Sequence, residues 1–296
     1  MKPRACGMGY CLAPIYLWIH WHHYDAREQG DFTKMKMFIA ALASSMFALG
    51  PVAQAAQKPT IVLVHGAFED SQVWSHVTAK LEADGYKVVV VDLPGRPSNP
   101  MPPDKVSLDL YRDTVVKALD TTNGPAVVVG HSFGGIVISA VAEQEPKKIK
   151  TLVFLAAYLP QDGDSLVSMA QKDADAKIGP HLQIEKEKGI ASIEYSARAD
   201  LFANGAPEAL RQAIPDLILD EPLAPLATPV KVTSANFGKV DKVYIHTAFD
   251  QVISPAFQAQ MVANTPVRTE YTLQTGHTAF LTDPNGLADD IERAAQ

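Results

Sequence analysis

Ser132 stands in Gly130-His131-Ser132-Phe133-Gly134, between the apolar run Ala126-Val127-Val128-Val129 and the helix-compatible run from Gly135 to Glu143. That order predicts a buried strand, a sharp turn and a helix. A serine on such a turn sits in a strained backbone with its hydroxyl exposed, and Gly130 and Gly134 let neighbouring backbone come close. A serine hydroxyl is a weak nucleophile at neutral pH and needs a base. His277, in Gln274-Thr275-Gly276-His277-Thr278 just after the last apolar strand, is the candidate base. Asp250, just after the strand ending at His246, is the candidate acid that would fix the imidazole tautomer. Asp162 and Asp164 are rival acids, although Gln161-Asp162-Gly163-Asp164 also reads as a turn. Asp241 precedes its strand and falls at the wrong end of a sheet. An oxyanion would need two backbone donors. The N–H of Phe133 is one candidate, and the N–H of Ala67, in His65-Gly66-Ala67-Phe68, is the other, with Gly66 keeping the wall open. His65 and His131 are expected to support nearby backbone, while His76, His181 and His246 carry no signal. The chemistry these residue types can perform together is nucleophilic acyl transfer, for which neither a metal nor a cofactor is expected. No Gly-x-Gly-x-x-Gly phosphate cradle occurs.

The elements that must position these groups are legible as an alternation. Strands are expected at Thr60–Val64, Lys87–Val91, Ala126–Val129, Lys150–Leu155, Lys242–His246 and Val267–Leu273. Helices are expected at Ser71–Ala83, Ser107–Leu119, after the elbow, at Pro255–Ala263 and at Pro284–Ala295. Alternating strands and helices predict an α/β fold, a mainly parallel sheet with helices on both faces. Residues from about 160 to 228 break the rhythm with short helix-like pieces, and are expected to form a cap inserted over the carboxyl edge of the sheet. Glu185-Lys186-Glu187-Lys188 within it reads as a solvated face. Leu166, Met169, Ile178, Leu182, Ile193 and Phe202 are candidates to line a pocket or to pack the cap.

The same residues resemble the plant methylesterase and hydroxynitrile lyase branch of the α/β-hydrolases, with its bacterial esterase relatives. The pieces that carry the likeness are Val62 to Phe68, Trp74, Val129 to Gly135, Phe154 to Pro160, Pro225 to Val230, Asp250 and Gly276-His277. The likeness runs from about Thr60 to the C-terminus. It implies the α/β-hydrolase fold with a helical cap, and esterase activity on small esters. The lyases that resemble this chain carry a polar side chain where Gly66 stands, or a lysine after the catalytic histidine. Gly66 and Thr278 therefore speak against cyanohydrin cleavage, and Thr278 also departs from the methionine of the plant methylesterases. The expectation is a serine carboxylic ester hydrolase acting on small to medium apolar esters through an acyl-enzyme. Its alternatives are a lactonase with the same triad, a hydroxynitrile lyase-like enzyme, and a ligand-binding protein that keeps the triad.

The chain has 296 residues, 47% of them hydrophobic and 20% charged, which is enough for one large α/β core. With a formal net charge of −7 and no long basic cluster, nucleic acid and anionic membranes are not expected as partners. Lys34-Met35-Lys36-Met37, the apolar run Phe38 to Leu49 and Ala53-Gln54-Ala55 form the three parts of a signal peptide over 35–55. The alternative is an ordinary buried helix. The run is too short to span a bilayer. Export to the periplasm or medium is the expectation. Residues 1–34 hold Cys6, Cys11, Trp18, Trp21 and three histidines in a spacing that matches no zinc site. They read as an upstream extension, with the natural start at Met35 or Met37. Residues 56–296 contain no cysteine, so neither a disulfide nor a thiol nucleophile is available there.

Overall fold

The computed structural model describes residues 57–296; the readings made for 1–34 and for 35–55 lie outside the described residues. Six strands form one parallel sheet in the order β2-β1-β3-β4-β8-β9. They are β1 (Ile61–Val64), β2 (Val88–Val91), β3 (Ala126–His131), β4 (Ile149–Leu155), β8 (Asp241–Thr247) and β9 (Thr269–Leu273). The register sets Val64 beside Gly130, Gly130 beside Phe154, and Leu155 beside Ile245, so the strands finish along one edge.

The apolar runs of β1 and β3 are buried throughout because both faces of the sheet are covered. Successive side chains alternate between two apolar layers. Ile61, Leu63, Val127 and Val129 face one layer, filled by α1 (Ser75–Ala83), through Val77 and Leu81, and by Leu287 and Ile291 of the C-terminal helix Pro284–Ala294. Val62, Val64 and Val128 face the other, filled by α2 (Leu108–Leu119), through Tyr111 and Val115, and by α3 (Gly134–Gln144). Helix starts follow their caps. Asp70 accepts from the Gln72 N–H at the 3-10 turn before α1, and Ser107 accepts from the Leu110 N–H at the start of α2. Ser71–Ala83, expected as one helix, is a 3-10 turn over Ser71–Trp74 followed by α1.

Between β4 and β8 the chain leaves the main sheet. It forms α4 (Leu166–Ala170), α5 (Tyr195–Phe202), α6 (Glu208–Leu217) and α7 (Leu223–Ala227). It also forms a second, antiparallel sheet of β5 (Leu182–Glu185), β6 (Ile190–Ile193) and β7 (Glu221–Pro222). This hairpin departs from the helical pieces that the sequence predicts between residues 160 and 228. Lys186 to Gly189 is its turn, with Gly189 at φ +66°. The hairpin is hard to see in the sequence because the alternation of Leu182-Gln183-Ile184-Glu185 lasts only four residues and runs straight into the charged stretch Glu185 to Lys188. After β8, α8 (Pro255–Asn264) is capped by Ser254, and α9 (Ala279–Thr282) leads into α10 (Pro284–Ala294). No helix of the described residues is long and apolar enough to cross a membrane.

Candidate active site

Ser132 follows the last residue of β3 and has φ +52°, a left-handed conformation that costs an ordinary residue about 1–2 kcal/mol. Its own backbone is tied on both sides. The Ser132 N–H donates to Leu155 O at 3.2 Å, and Ser132 O accepts from the N–H of Gly135 and of Tyr158, each at 3.1 Å. The glycines permit the turn by their lack of a side chain. A Cβ on Gly130 would stand 2.6 Å from Gly134 O, and one on Gly134 would stand 2.9 Å from His65 O. α3 therefore starts close against both β3 and β1.

Asp250 and His277 come from the loops after β8 and β9 and meet there. His277 Nδ1 donates to Asp250 Oδ2 at 2.8 Å, and both side chains are buried. Asp250 is fixed by its own loop. Oδ1 accepts from the N–H of Val252 at 2.7 Å and of Ile253 at 3.0 Å. Oδ2 also accepts from Thr247 Oγ1 at 2.8 Å and Gln258 Nε2 at 3.2 Å. With Nδ1 donating, Nε2 of a neutral His277 keeps its lone pair. Burial pulls His277 down, but the charge and hydrogen bond of Asp250, with Glu69, outweigh it and hold the imidazole above the ordinary histidine value. The His277 ring lies 4.5 Å from that of His131, the neighbour of Ser132. Ser132 Oγ and His277 are not joined by a hydrogen bond among the described residues; such contacts commonly tighten only with substrate in place.

The rival acids have other work. Asp162 accepts from the Val232 N–H at 3.0 Å, and Asp164 accepts from the Gln161 N–H at 3.0 Å and pairs with Lys172 at 2.8 Å. Asp241 opens β8 at the far end of the strand and binds Thr151 and Arg268.

Two of the histidines support backbone. His65 Nδ1 donates to Gly66 O at 2.8 Å, so its Nε2 must be the acceptor for the Leu93 N–H at 3.2 Å. Burial, with the charge of Arg96, pulls His65 down to about 4, which keeps it neutral. His131 Nε2 contacts His277 O at 3.1 Å, and its Nδ1 contacts Glu69 Oε2 at 2.9 Å. Glu69 was missed in the sequence. It is buried and accepts the Gly66 N–H at 3.0 Å. Burial pushes this carboxyl up, but the charge and hydrogen bond of His131 prevail and leave it below the usual range.

Neither the Ala67 N–H nor the Phe133 N–H has an acceptor among the described residues. Ala67, Phe68 and Ser132 line one cavity of about 160 Å³, whose remaining wall is mostly hydrocarbon from the segment between β4 and β8. Of the six apolar candidates, Leu166, Ile178, Leu182 and Phe202 reach this wall. Met169 and Ile193 pack into the core instead. Among the described residues no group of three or more histidine, cysteine, aspartate or glutamate side chains is disposed to hold a metal ion.

Residues 61–290 match the Alpha/beta hydrolase family. The chain belongs to that family. It is 30% identical to the putative chloroplastic methylesterase 11 of Arabidopsis thaliana over 76% of its own length and 61% of that relative's, so it spans about three fifths of that protein. It is 29% identical to the Arabidopsis thaliana alpha-hydroxynitrile lyase over 81% of its own length and 98% of that enzyme's. The structure superimposes on that of a pyrethroid hydrolase from Sphingobium faniae with a TM-score of 0.70, at 25% identity, covering 80% of this chain and 97% of the other. These are the branch and the bacterial relatives whose motifs the sequence carries. This α/β-hydrolase is accordingly a hydrolase enzyme of the esterase type.

Proposed function

We propose that this α/β-hydrolase is a serine carboxylic ester hydrolase of small to medium apolar esters, working through an acyl-enzyme. Ser132 Oγ attacks the ester carbonyl as His277 Nε2 takes its proton. The new oxyanion accepts from the Ala67 and Phe133 N–H groups. His277 then returns the proton to the departing alcohol, and a water, activated by the same imidazole, releases the acid and regenerates the serine. Asp250 holds the Nδ1–H tautomer and stabilises the imidazolium that forms. The observation that carries the reading is the buried Asp250–His277 pair at 2.8 Å, at the sheet edge where the strained Ser132 faces an apolar cavity. The hydrocarbon lining supports an apolar ester. The charged, apolar and Ala-x-Ala segments over 34–55 support export to the periplasm or medium, which N-terminal sequencing of the exported protein would test.

The direct test is turnover of p-nitrophenyl butyrate. Ser132→Ala should abolish it while the thermal midpoint holds. Ester turnover that survives in this variant would overturn the assignment, as would cyanide release from mandelonitrile without ester turnover.

A further inference from the structure

We propose that Glu221, a residue of the segment between β4 and β8, is a positioning residue for the oxyanion donor: it fixes the peptide that follows the Ala67 N–H. The proposal rests on the esterase reading above. The donor belongs to the Gly66–Ala67 peptide. That peptide's own carbonyl accepts from His65 Nδ1, and the preceding N–H, of Gly66, is held by Glu69. On the other side the Phe68 N–H donates to Glu221 Oε2 at 2.9 Å, across 153 positions of sequence. Phe68 O accepts from the Leu219 N–H at 2.8 Å, so one short stretch, Leu219 to Glu221, grips both polar groups of Phe68. Phe68 needs the grip. Its φ of +64° is a left-handed conformation that a bulky residue keeps only when its surroundings impose it. Released, Phe68 would relax and turn the Ala67 N–H away from the serine.

Glu221 is itself over-determined. It is fully buried, its Oε1 accepts from Tyr111 Oη at 3.0 Å, and its Oε2 pairs with the Arg96 guanidinium, which is as deeply buried. The pairing answers an electrostatic difficulty. A bare carboxylate beside an oxyanion donor would repel the charge that the donor must stabilise, and more strongly in an apolar site. Arg96 neutralises it. β7, which carries Glu221, pairs through Ala191 of β6 with the hairpin beside the cavity, and Ala191 itself lines the cavity. The segment that shapes the substrate site thus also sets a donor for the transition state.

The test compares Glu221→Gln, which retains an acceptor of the same reach, with Glu221→Met and with the double variant Arg96→Met/Glu221→Met. The double variant leaves no lone buried cation and guards against misfolding. With p-nitrophenyl butyrate, the methionine variants should lose about 10- to 100-fold in kcat, with KM within about twofold, as a displaced donor costs turnover and not substrate binding. Glu221→Gln should stay within a few-fold of wild type. The Ki of an alkyl trifluoromethyl ketone, which forms a hemiketal oxyanion on Ser132, should rise by the factor lost in kcat/KM. The Ki of the matching methyl carbinol should not change. A folded double variant with wild-type kcat, or one that holds the trifluoromethyl ketone as tightly as wild type, overturns the proposal alone. A wild-type enzyme that forms no such adduct overturns the esterase reading and the proposal with it.

Discussion

Asp250→Asn should disable the enzyme without unfolding it, and the local bonding dictates why. Oδ1 of Asp250 faces two backbone N–H groups, those of Val252 and Ile253, which cannot turn away. An asparagine must therefore keep its oxygen there and place its NH2 at the Oδ2 position, against His277 Nδ1. The imidazole then becomes an acceptor at Nδ1 and carries its proton on Nε2, the atom that in the proposed mechanism takes the proton from Ser132. Loss of the working tautomer costs about 10⁴ in kcat, or about 5.5 kcal/mol in the barrier. The stability cost is smaller. Thr247 can rotate its hydroxyl to accept from the new NH2, and only Gln258 Nε2, 3.2 Å from Oδ2, meets another donor. That mismatch costs about 1–3 kcal/mol. The assay is kcat on p-nitrophenyl butyrate alongside the thermal midpoint. A folded Asp250→Asn variant within tenfold of the wild-type kcat would refute the tautomer argument.

The acid limb of kcat/KM should fall above the ordinary histidine value of 6.5, since burial is outweighed at His277 by Asp250, and the base works only when neutral. Removing Glu69's charge by Glu69→Gln should move the limb down; a wild-type limb at or below 6.5 contradicts the electrostatics. His65, held at about 4 by burial and by Arg96, is neutral in the fold while an unfolded histidine binds a proton at about 6.5. Stability should therefore fall with pH from 6.5 toward 4, by on the order of 3 kcal/mol from this group. His277 acts only above 6.5, where its raised value makes stability fall as pH rises through it. Urea midpoints across pH 4–7 should show the His65 slope, and His65→Gln should flatten it.

What could be read from the sequence was local or was tied to strand ends. Strand, turn and helix around Ser132 are contiguous, so the glycines and the apolar run announce them together. Asp250 and His277 were locatable because each directly follows a strand, and parallel strands end along one edge. The carboxylates around the His65–Phe68 loop were not. Glu221 reaches Phe68 across 153 positions, and nothing in Asp220-Glu221-Pro222 distinguishes a buried acid from a solvated one. Arg96, in a proline-rich loop, is equally mute. Glu69 had a usable signal, three residues beyond Gly66 and able to reach back to its N–H, but reads first as part of an exposed acidic pair with Asp70. The hairpin had one as well: Lys188-Gly189 between Leu182–Glu185 and Ile190–Ile193 is a turn signal that the charge run obscured.

Three buried carboxylates brace the loops of the site, each matched to a basic group: Asp250 to His277, Glu69 to His131, Glu221 to Arg96; a fourth, Asp173, lies on the cavity wall and accepts from the Ser254 N–H and hydroxyl instead. Such pairs are poor contributors to stability, because desolvating both ions offsets most of their attraction, and apolar residues of the same size often do as well. Their placement follows from a different requirement. An apolar cavity magnifies every charge on its wall, which strengthens two amide donors aimed at an oxyanion and would equally strengthen any carboxylate opposing it. Backbone amides in a tight loop need acceptors to hold them, and a carboxylate oxygen is the strongest available. A cationic or imidazole partner lets the carboxylate hold the amide without opposing the oxyanion. On this reasoning the Arg96–Glu221 pair is a positioning device for the proposed oxyanion donor, outside the groups that touch substrate. Replacing both ions by methionine should then leave the fold standing while the chemistry slows.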